Sequence, residues 1–355
     1  MAQVQAHDRE GTDLPELHRL LHNPSFVIWD SRHHYTWASA WDENGLFIRG
    51  AGWIDPQAMK RNLTEPLPPP LQLEGNYVGF TMWFEGNFGH YLDDHLPSIA
   101  YLRTQVPTDT KFLLLDTPLA RSTFQLLDEG FYRRIVWIQE QQPVQVSGSL
   151  HVSVVHPGYP LMWGCQRPYD YLRHWIRQQL PRVPARRRVV FYSRGGQDTI
   201  HGRVLDPEQQ QIVVAKIQQA MIDYQRPEQE LVIFSGLDAQ GNTLAQQEQY
   251  ALFRSAKTII GPHGAGILGN LIWVDPVPPT CHDRVQLLEF IPGADSTQVQ
   301  PMYHSLHMRW RRWPVDFHAI LYTRDSTPQV TRIDLGDFDT ALHAMWARES
   351  AVTHF

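Results

Sequence analysis

Cysteine is nearly absent from this chain: Cys165 and Cys281 are the only two in 355 residues. Two thiols close at most one bridge, so a small disulfide-stapled scaffold is excluded. Long apolar runs are missing as well. The longest, FLLL at 112–115 and LVIF at 231–234, have the length of buried strands and fall far short of the roughly 18 residues a spanning helix needs. No integral membrane segment is therefore expected. The opening MAQVQAHDRE lacks the apolar core of a secretory signal, which predicts a cytoplasmic chain, or a Golgi or ER lumenal one if the sequence is a piece of a longer protein. Without such a signal, Asn62-Leu63-Thr64 reads as a chance match to the glycosylation acceptor pattern. Nor is there a basic block. Lys and Arg number 31 against 37 Asp and Glu, a net charge of −6, so no nucleic-acid partner is expected. No Cys/His cluster has zinc spacing. Nothing in the pattern fixes an oligomeric state.

What is there alternates between short apolar runs and amphipathic segments, over a length sufficient for two domains. Leu14, Leu17, Leu20 and Leu21 predict a helix over 13–22; its His18 and His22 read as surface residues rather than a metal pair. Strands are expected at 25–30, 34–41, 46–53 and 76–84, with a proline-rich loop at 64–71. A helix should run from His90 to about 104. Strands at 111–116, 133–139 and 151–156 follow, with helices at 121–130 and 167–180 and a basic, proline-bearing linker at 181–188. Beyond the linker come strands at 189–193, 230–235, 256–260 and 285–291, and helices at 207–224 and 244–255. A strand with a return loop is expected over 309–323, and a closing helix over 337–348 with Phe338, Leu342 and Met345 inward. Strands alternating with helices predict an α/β fold with a parallel, doubly wound sheet. The organisation expected is an N-terminal α/β domain over 1–183, a nucleotide-binding Rossmann-like domain over 184–325 and an extension over 326–355.

The segment KTIIGPHGAGILGNLIWV at 257–274 carries the densest chemistry. Thr258, Ile259 and Ile260 end a β-branched strand. Gly261, His263, Gly264, Ala265 and Gly266 then lead into an apolar run at helical spacing. A strand, a glycine turn and a helix start form an anion site, because backbone N–H groups converge there and the helix dipole adds positive charge. The glycine order is G-x-x-G-x-G, which departs from the dinucleotide fingerprint and disfavours a Rossmann-type oxidoreductase. Ser193 and Arg194 lie at the carboxyl end of the strand that starts at Val189, with Arg203 beyond them on the same loop. Two guanidinium groups over a helix start neutralise a diphosphate without a metal. Glu289 ends the strand after the loop, where a carboxylate is placed to accept from a ribose diol. His90 and Asp94 stand four apart on one helix face just after Gly86–Gly89. A carboxylate fixes the tautomer of an imidazole beside it, which suits a general base; acidic residues favoured by a helix dipole are the plainer reading. The only Asp-x-Asp, Asp337-Phe338-Asp339, opens the last helix, where capping accounts for it. No metal and no other cofactor are expected.

SRGGQDTIHGRVLDPEQ, LAQQEQYALFRSAKTIIGPHGAGILGNLIW and VQLLEFIP, together with GNFGHYLDDHLPSI, resemble the conserved blocks of glycosyltransferase family 61. That family includes eukaryotic protein O-linked N-acetylglucosaminyltransferases and plant xylan xylosyl- and arabinosyltransferases. The resemblance covers roughly 76–105 and 189–292, with GPHGAG the most specific block. It implies a GT-B-like architecture, two Rossmann-like domains facing each other across a cleft. It also implies inverting transfer from a nucleotide sugar, usually a UDP sugar, to a hydroxyl of a glycan or glycoprotein. A nucleotide-binding module, or an inactive relative that keeps the cradle without the base, is the alternative.

Overall fold

Proline and the β-branched runs between them mark where the chain changes course. The computed structural model divides at Leu180 and Pro181 into two units, Met1–Leu180 and Pro181–Phe355. The structure describes residues 18–29, 36–41, 47–49, 67–80, 82–83, 88–153, 167–181, 186–194, 204–274, 284–292, 315–322 and 330–352. Cys165, Cys281, Arg203 and the Asn62 acceptor pattern lie outside these residues. Among the described residues no helix is long and apolar enough to cross a membrane.

Among the described residues the first unit holds a nine-stranded mixed sheet. Its strands are β1 (His18–His22), β2 (Ser25–Trp29), β3 (Thr36–Trp41), β4 (Phe47–Arg49), β5 (Leu71–Phe80), β6 (Met82–Trp83), β7 (Lys111–Leu115), β8 (Ile135–Ile138) and β9 (Val144–Ser153). Strands β9, β5, β7 and β8 form a parallel block. Phe112 to Leu115 of β7 are all buried, as expected of a parallel strand covered on both faces. The remaining strands extend this block antiparallel, so the parallel Rossmann-like pattern holds for only part of the unit.

The helix expected over 13–22 is a strand where it is described. β1 pairs antiparallel with β9, and its adjacent leucines split, Leu21 at 1 % exposure and Leu20 at 48 %. Pairing with β9 satisfies the backbone and overrides a weak helical periodicity. Strand β9 starts seven positions before the expected 151. Gly148 within it lies in register with Gly75 of β5.

Helices α1 (Phe88–His90), α2 (Leu96–Gln105), α3 (Pro118–Leu127), α4 (Glu129–Tyr132) and α5 (Arg167–Gln179) belong to the same unit. A π-helical turn, Tyr91–His95, separates α1 from α2, where a regular helix from residue 90 was expected. Pro97 in the first turn of α2 explains it. Proline lacks an N–H, and its ring crowds the carbonyl four residues back, so the preceding turn widens. Thr117 caps α3 by accepting from the Ala120 N–H, with Pro118 at its first position. Asp128 accepts from the Phe131 N–H and from Trp175 Nε1, tying α4 to α5, while the Arg103 guanidinium stacks 4.2 Å over the Trp175 ring.

Among the described residues the second unit holds a five-stranded, wholly parallel sheet and a two-stranded one. Its strands are β10 (Arg188–Tyr192), β11 (Val204–Leu205), β12 (Glu230–Phe234), β13 (Ala256–Pro262), β14 (Val285–Pro292), β15 (Val315–Tyr322) and β16 (Val330–Thr331). Helices α6 (Pro207–Asp223), α7 (Gln246–Arg254), α8 (Ala265–Asn270) and α9 (Leu335–Val352) connect and cover them. Asp206 caps α6 through the N–H groups of Glu208 and Gln209.

Alternation along β10 sends Val189 and Phe191 into a core with Val213 and Ile217 of α6 and Phe338, Leu342, Met345 and Trp346 of α9. The inward residues expected of the closing helix are thus buried. Tyr192 and Phe234 lie on the opposite face, where Phe234 meets Phe253 of α7. Trp346 of α9 also donates from Nε1 to Thr258 Oγ1 of β13.

Strand order is β12-β10-β13-β14-β15. From β10 the chain proceeds to β12 on one side, and from β13 it proceeds to β14 on the other. Between the carboxyl ends of β10 and β13 the winding reverses, and open α/β sheets bind ligands at such a point.

Candidate active site

The glycine loop lies at this reversal, and its shape follows from two side chains on β10 and just after it. Gly261 has φ +154°, and a β-carbon there would stand 2.6 Å from the Tyr192 carbonyl oxygen. At Gly266 a β-carbon would stand 2.6 Å from Tyr192 Cζ, and at Gly264 it would stand 2.3 Å from Arg194 Nη1. Each missing side chain therefore makes room for the chain's own Tyr192 or Arg194. The close approach expected of a phosphate is, in this structure, first an approach of β10 to the loop.

Tyr192 was the residue the sequence concealed. Its ring is buried, and its hydroxyl takes the Gly266 N–H. Burial raises the phenol above its usual range, against the opposing effects of the Arg194 charge and the Gly266 N–H. Three glycines facing one strand end were the available signal that a bulky residue packs there.

Ser193 continues the β10 ladder by donating its N–H to Phe234 O at 2.9 Å. Arg194 follows with φ +37°, a left-handed conformation costly for a residue with a side chain. From there Nη1 donates to the His263 carbonyl at 2.9 Å. The other guanidinium nitrogens of this half-buried residue make no hydrogen bond among the described residues.

His263 is fixed from three sides. Its N–H donates to Phe290 O at 2.8 Å, its carbonyl takes Arg194, and its Nδ1 lies 2.7 Å from Glu289 Oε1. Parallel register sets Glu289 opposite Gly261, and the carboxylate is fully buried. Glu289 thus already engages the loop's own histidine. Ala265 and Gly266 open α8, which Asn270 ties to α7 by donating to Gln249 Oε1 and to Gly266 O, each at 2.8 Å.

Ser193, Arg194, Gly261, His263, Gly264, Ala265, Gly266 and Glu289 are accordingly one cluster. Arg203 lies outside the described residues. In the first unit His90 ends α1 and Asp94 lies in the π-helical turn; the description does not extend to their side chains. Between them Asp93 is buried, and so is His95. The His95 ring meets Phe80 and Tyr91 edge-on, with centroids 4.8 and 5.4 Å away. Desolvation lowers its pKa to about 3, so it is neutral near pH 7 and serves packing.

Among the described residues no group of three or more His, Cys, Asp or Glu is arranged to hold a metal ion. Asp339 of the Asp-x-Asp pairs with Lys216 at 2.5 Å, and Asp334 caps α9 through the N–H groups of Gly336 and Asp337.

The model of the family described as Glycosyltransferase 61 matches residues 88–281. The matched span opens at α1, runs through the π-helical turn and includes β10, β13 and the whole glycine loop. No curated protein and no solved structure matches the chain. With more than half its length matched, the chain belongs to glycosyltransferase family 61 and is a glycosyltransferase.

Proposed function

We propose that this enzyme transfers a sugar, with inversion and without a metal, from a nucleotide sugar to a hydroxyl of a glycan or glycoprotein. UDP is the favoured nucleotide. The observation that carries this reading is the guanidinium of Arg194, bonded to the His263 carbonyl at the strand-order reversal. It sets a permanent positive charge beside a helix start, where a diphosphate is met by charge-assisted hydrogen bonds. Arg203 supplies a second charge. The organisation proposed is GT-B-like, with the acceptor bound by the first unit and the donor by the second.

In this reaction the acceptor hydroxyl attacks the anomeric carbon in line, and the bond to the diphosphate oxygen breaks. His90 takes the hydroxyl proton, and Asp94 orients His90. A sugar hydroxyl is a weak acid, so the proton moves as the leaving group departs. The negative charge that develops on the diphosphate is stabilised by Arg194 and the loop, which are in place before reaction begins.

Calorimetric titration with UDP, GDP and dTDP, each with and without EDTA, tests the donor site. Binding of UDP that survives EDTA is expected; loss of binding in EDTA overturns the metal-free cradle. A screen of UDP-, GDP- and dTDP-sugars for transfer and hydrolysis tests the chemistry, with the anomeric configuration of product read by NMR. Nucleotide binding with no turnover of any donor would identify a binding module instead.

A further inference from the structure

One cluster of side chains in the first unit takes no part in the site described above. Asp116 follows β7 directly, and its N–H continues the ladder by donating to Ile138 O of β8 at 2.9 Å. Its carboxylate accepts from Nε and Nη2 of Arg121 on α3, at 2.5 and 2.8 Å, and from Gln139 Nε2 at 3.2 Å. The same guanidinium donates from Nη1 to the Tyr132 hydroxyl at 2.9 Å. It also stacks 4.7 Å over the Trp137 ring, which meets the Tyr132 ring at 5.5 Å. Each of the five side chains is half-buried or exposed. An ion pair so open to water adds little to stability, so folding alone is a weak reason for them to converge.

What the cluster leaves unused suits one kind of ligand. Trp137 Nε1, the Tyr132 O–H proton and Gln139 Oε1 meet no partner among the described residues. Asp116 Oδ1 accepts one bond, where a carboxylate oxygen can accept two. The Arg121 charge offsets that of Asp116, so the surface favours neither an anion nor a cation. A neutral sugar fits it, with C–H groups for an aromatic face and hydroxyls that both donate and accept. Place in the fold points the same way. β5, β7 and β8 are parallel neighbours in that order, so Asp116 and Gln139 leave the sheet at its carboxyl end, where open α/β sheets bind ligands. Phe80 closes β5 at that end, and His95 of the π-helical turn meets its ring. At about 4.8 Å between strands, the cluster begins one strand from β5 and ends two strands away.

We infer that Asp116, Arg121, Tyr132, Trp137 and Gln139 form a saccharide subsite for the acceptor, holding a sugar unit next to the one that receives the transferred residue. The inference rests on the reading that the first unit binds the acceptor. It makes that acceptor a glycan rather than a bare protein hydroxyl.

Neutral disaccharides are the probes: maltose, lactose, cellobiose, mannobiose and chitobiose. Each is titrated into the full-length, nitrogen-labelled protein, with the indole N–H signals read by NMR. Trp137→Phe identifies the Trp137 signal. At least one disaccharide is expected to move that signal saturably. Gln139→Ala is expected to weaken its binding roughly threefold to tenfold, as for one lost hydrogen bond, and Trp137→Ala at least as much. With a disaccharide that serves as acceptor, the same variants are expected to raise its KM by the same factor.

A Trp137 signal that no disaccharide moves, up to the solubility of each, would overturn the inference. Binding left unchanged by Gln139→Ala would overturn it too, because the sugar would then lie elsewhere. So would transfer to an unglycosylated peptide that Trp137→Ala leaves at the wild-type rate. If Trp137→Ala does not fold, Gln139→Ala carries the test, since Gln139 is exposed and its side chain meets only Asp116. If wild type binds no UDP and turns over no donor, the nucleotide-sugar reading fails separately. The indole titration then decides the saccharide subsite without it.

Discussion

Nη1 of Arg194 occupies the space that a side chain on Gly264 would fill, 2.3 Å from the position of its β-carbon. The loop's middle glycine is therefore a seat for the arginine. The two flanking glycines serve Tyr192 instead, and this difference separates function from folding.

Gly264→Ala should push the guanidinium, the far end of a flexible side chain, off the His263 carbonyl. Its UDP affinity should fall as far as in Arg194→Ala, by about 1.5–3 kcal/mol, with a melting temperature close to wild type. Gly266→Ala meets the buried ring of Tyr192 and should cost about 1–3 kcal/mol of stability. Titration calorimetry and thermal unfolding of the three variants check this. A Gly264→Ala protein that binds like wild type would show that Arg194 does not hold the ligand.

The base assignment gives a kinetic expectation. His90→Ala and Asp94→Asn should each lower turnover by about 10²–10⁴-fold, with nucleotide affinity near wild type. Single-turnover rates beside calorimetry separate the two quantities. Turnover within a few-fold of wild type in both variants would place the base elsewhere.

His95 makes stability depend on pH. Its folded-state pKa is about 3, against an ordinary value near 6.5. Above pH 6.5 both folded and unfolded states hold the ring neutral. Between about 6.5 and 3 only the unfolded state takes a proton, so stability falls with falling pH, by up to about 1.4 kcal/mol per pH unit. Below 3 this contribution is gone. Urea unfolding at pH 7, 6, 5 and 4 should show a shallower fall in His95→Gln than in wild type. Parallel curves for the two proteins would rule out a neutral buried ring.

The same residue shows how far the sequence was readable. Near the loop, short β-branched runs such as Thr258-Ile259-Ile260 are long enough for a parallel strand and too short for a helix, so the second unit could be read in order. The glycine loop announced itself by composition. Its partners did not, because Glu289 reaches His263 through parallel register across 26 positions, and Tyr192 is marked only by side chains missing elsewhere. In the first unit the leucines at 14, 17, 20 and 21 carry a helical spacing, and over 18–22 pairing with β9 overrides it. Pro97 was visible, but its effect lies upstream, in the widened turn that carries Asp94. His95 looks like its neighbours on paper, and only its enclosure by Phe80 and Tyr91 makes it a core residue.

Trp346 and Thr258 are bonded across 88 positions of the chain, and translation has a direction. The strand bearing the loop leaves the ribosome well before the helix that braces it. Val189 and Phe191 likewise share a core with Met345 and Trp346, so the second unit closes only when its last helix arrives. Domains fold as units during synthesis, the N-terminal one first. The setting of the loop is therefore complete only once α9 has been made. A product that stops short of Trp346 carries every loop residue named above, yet leaves that loop on an unfinished core.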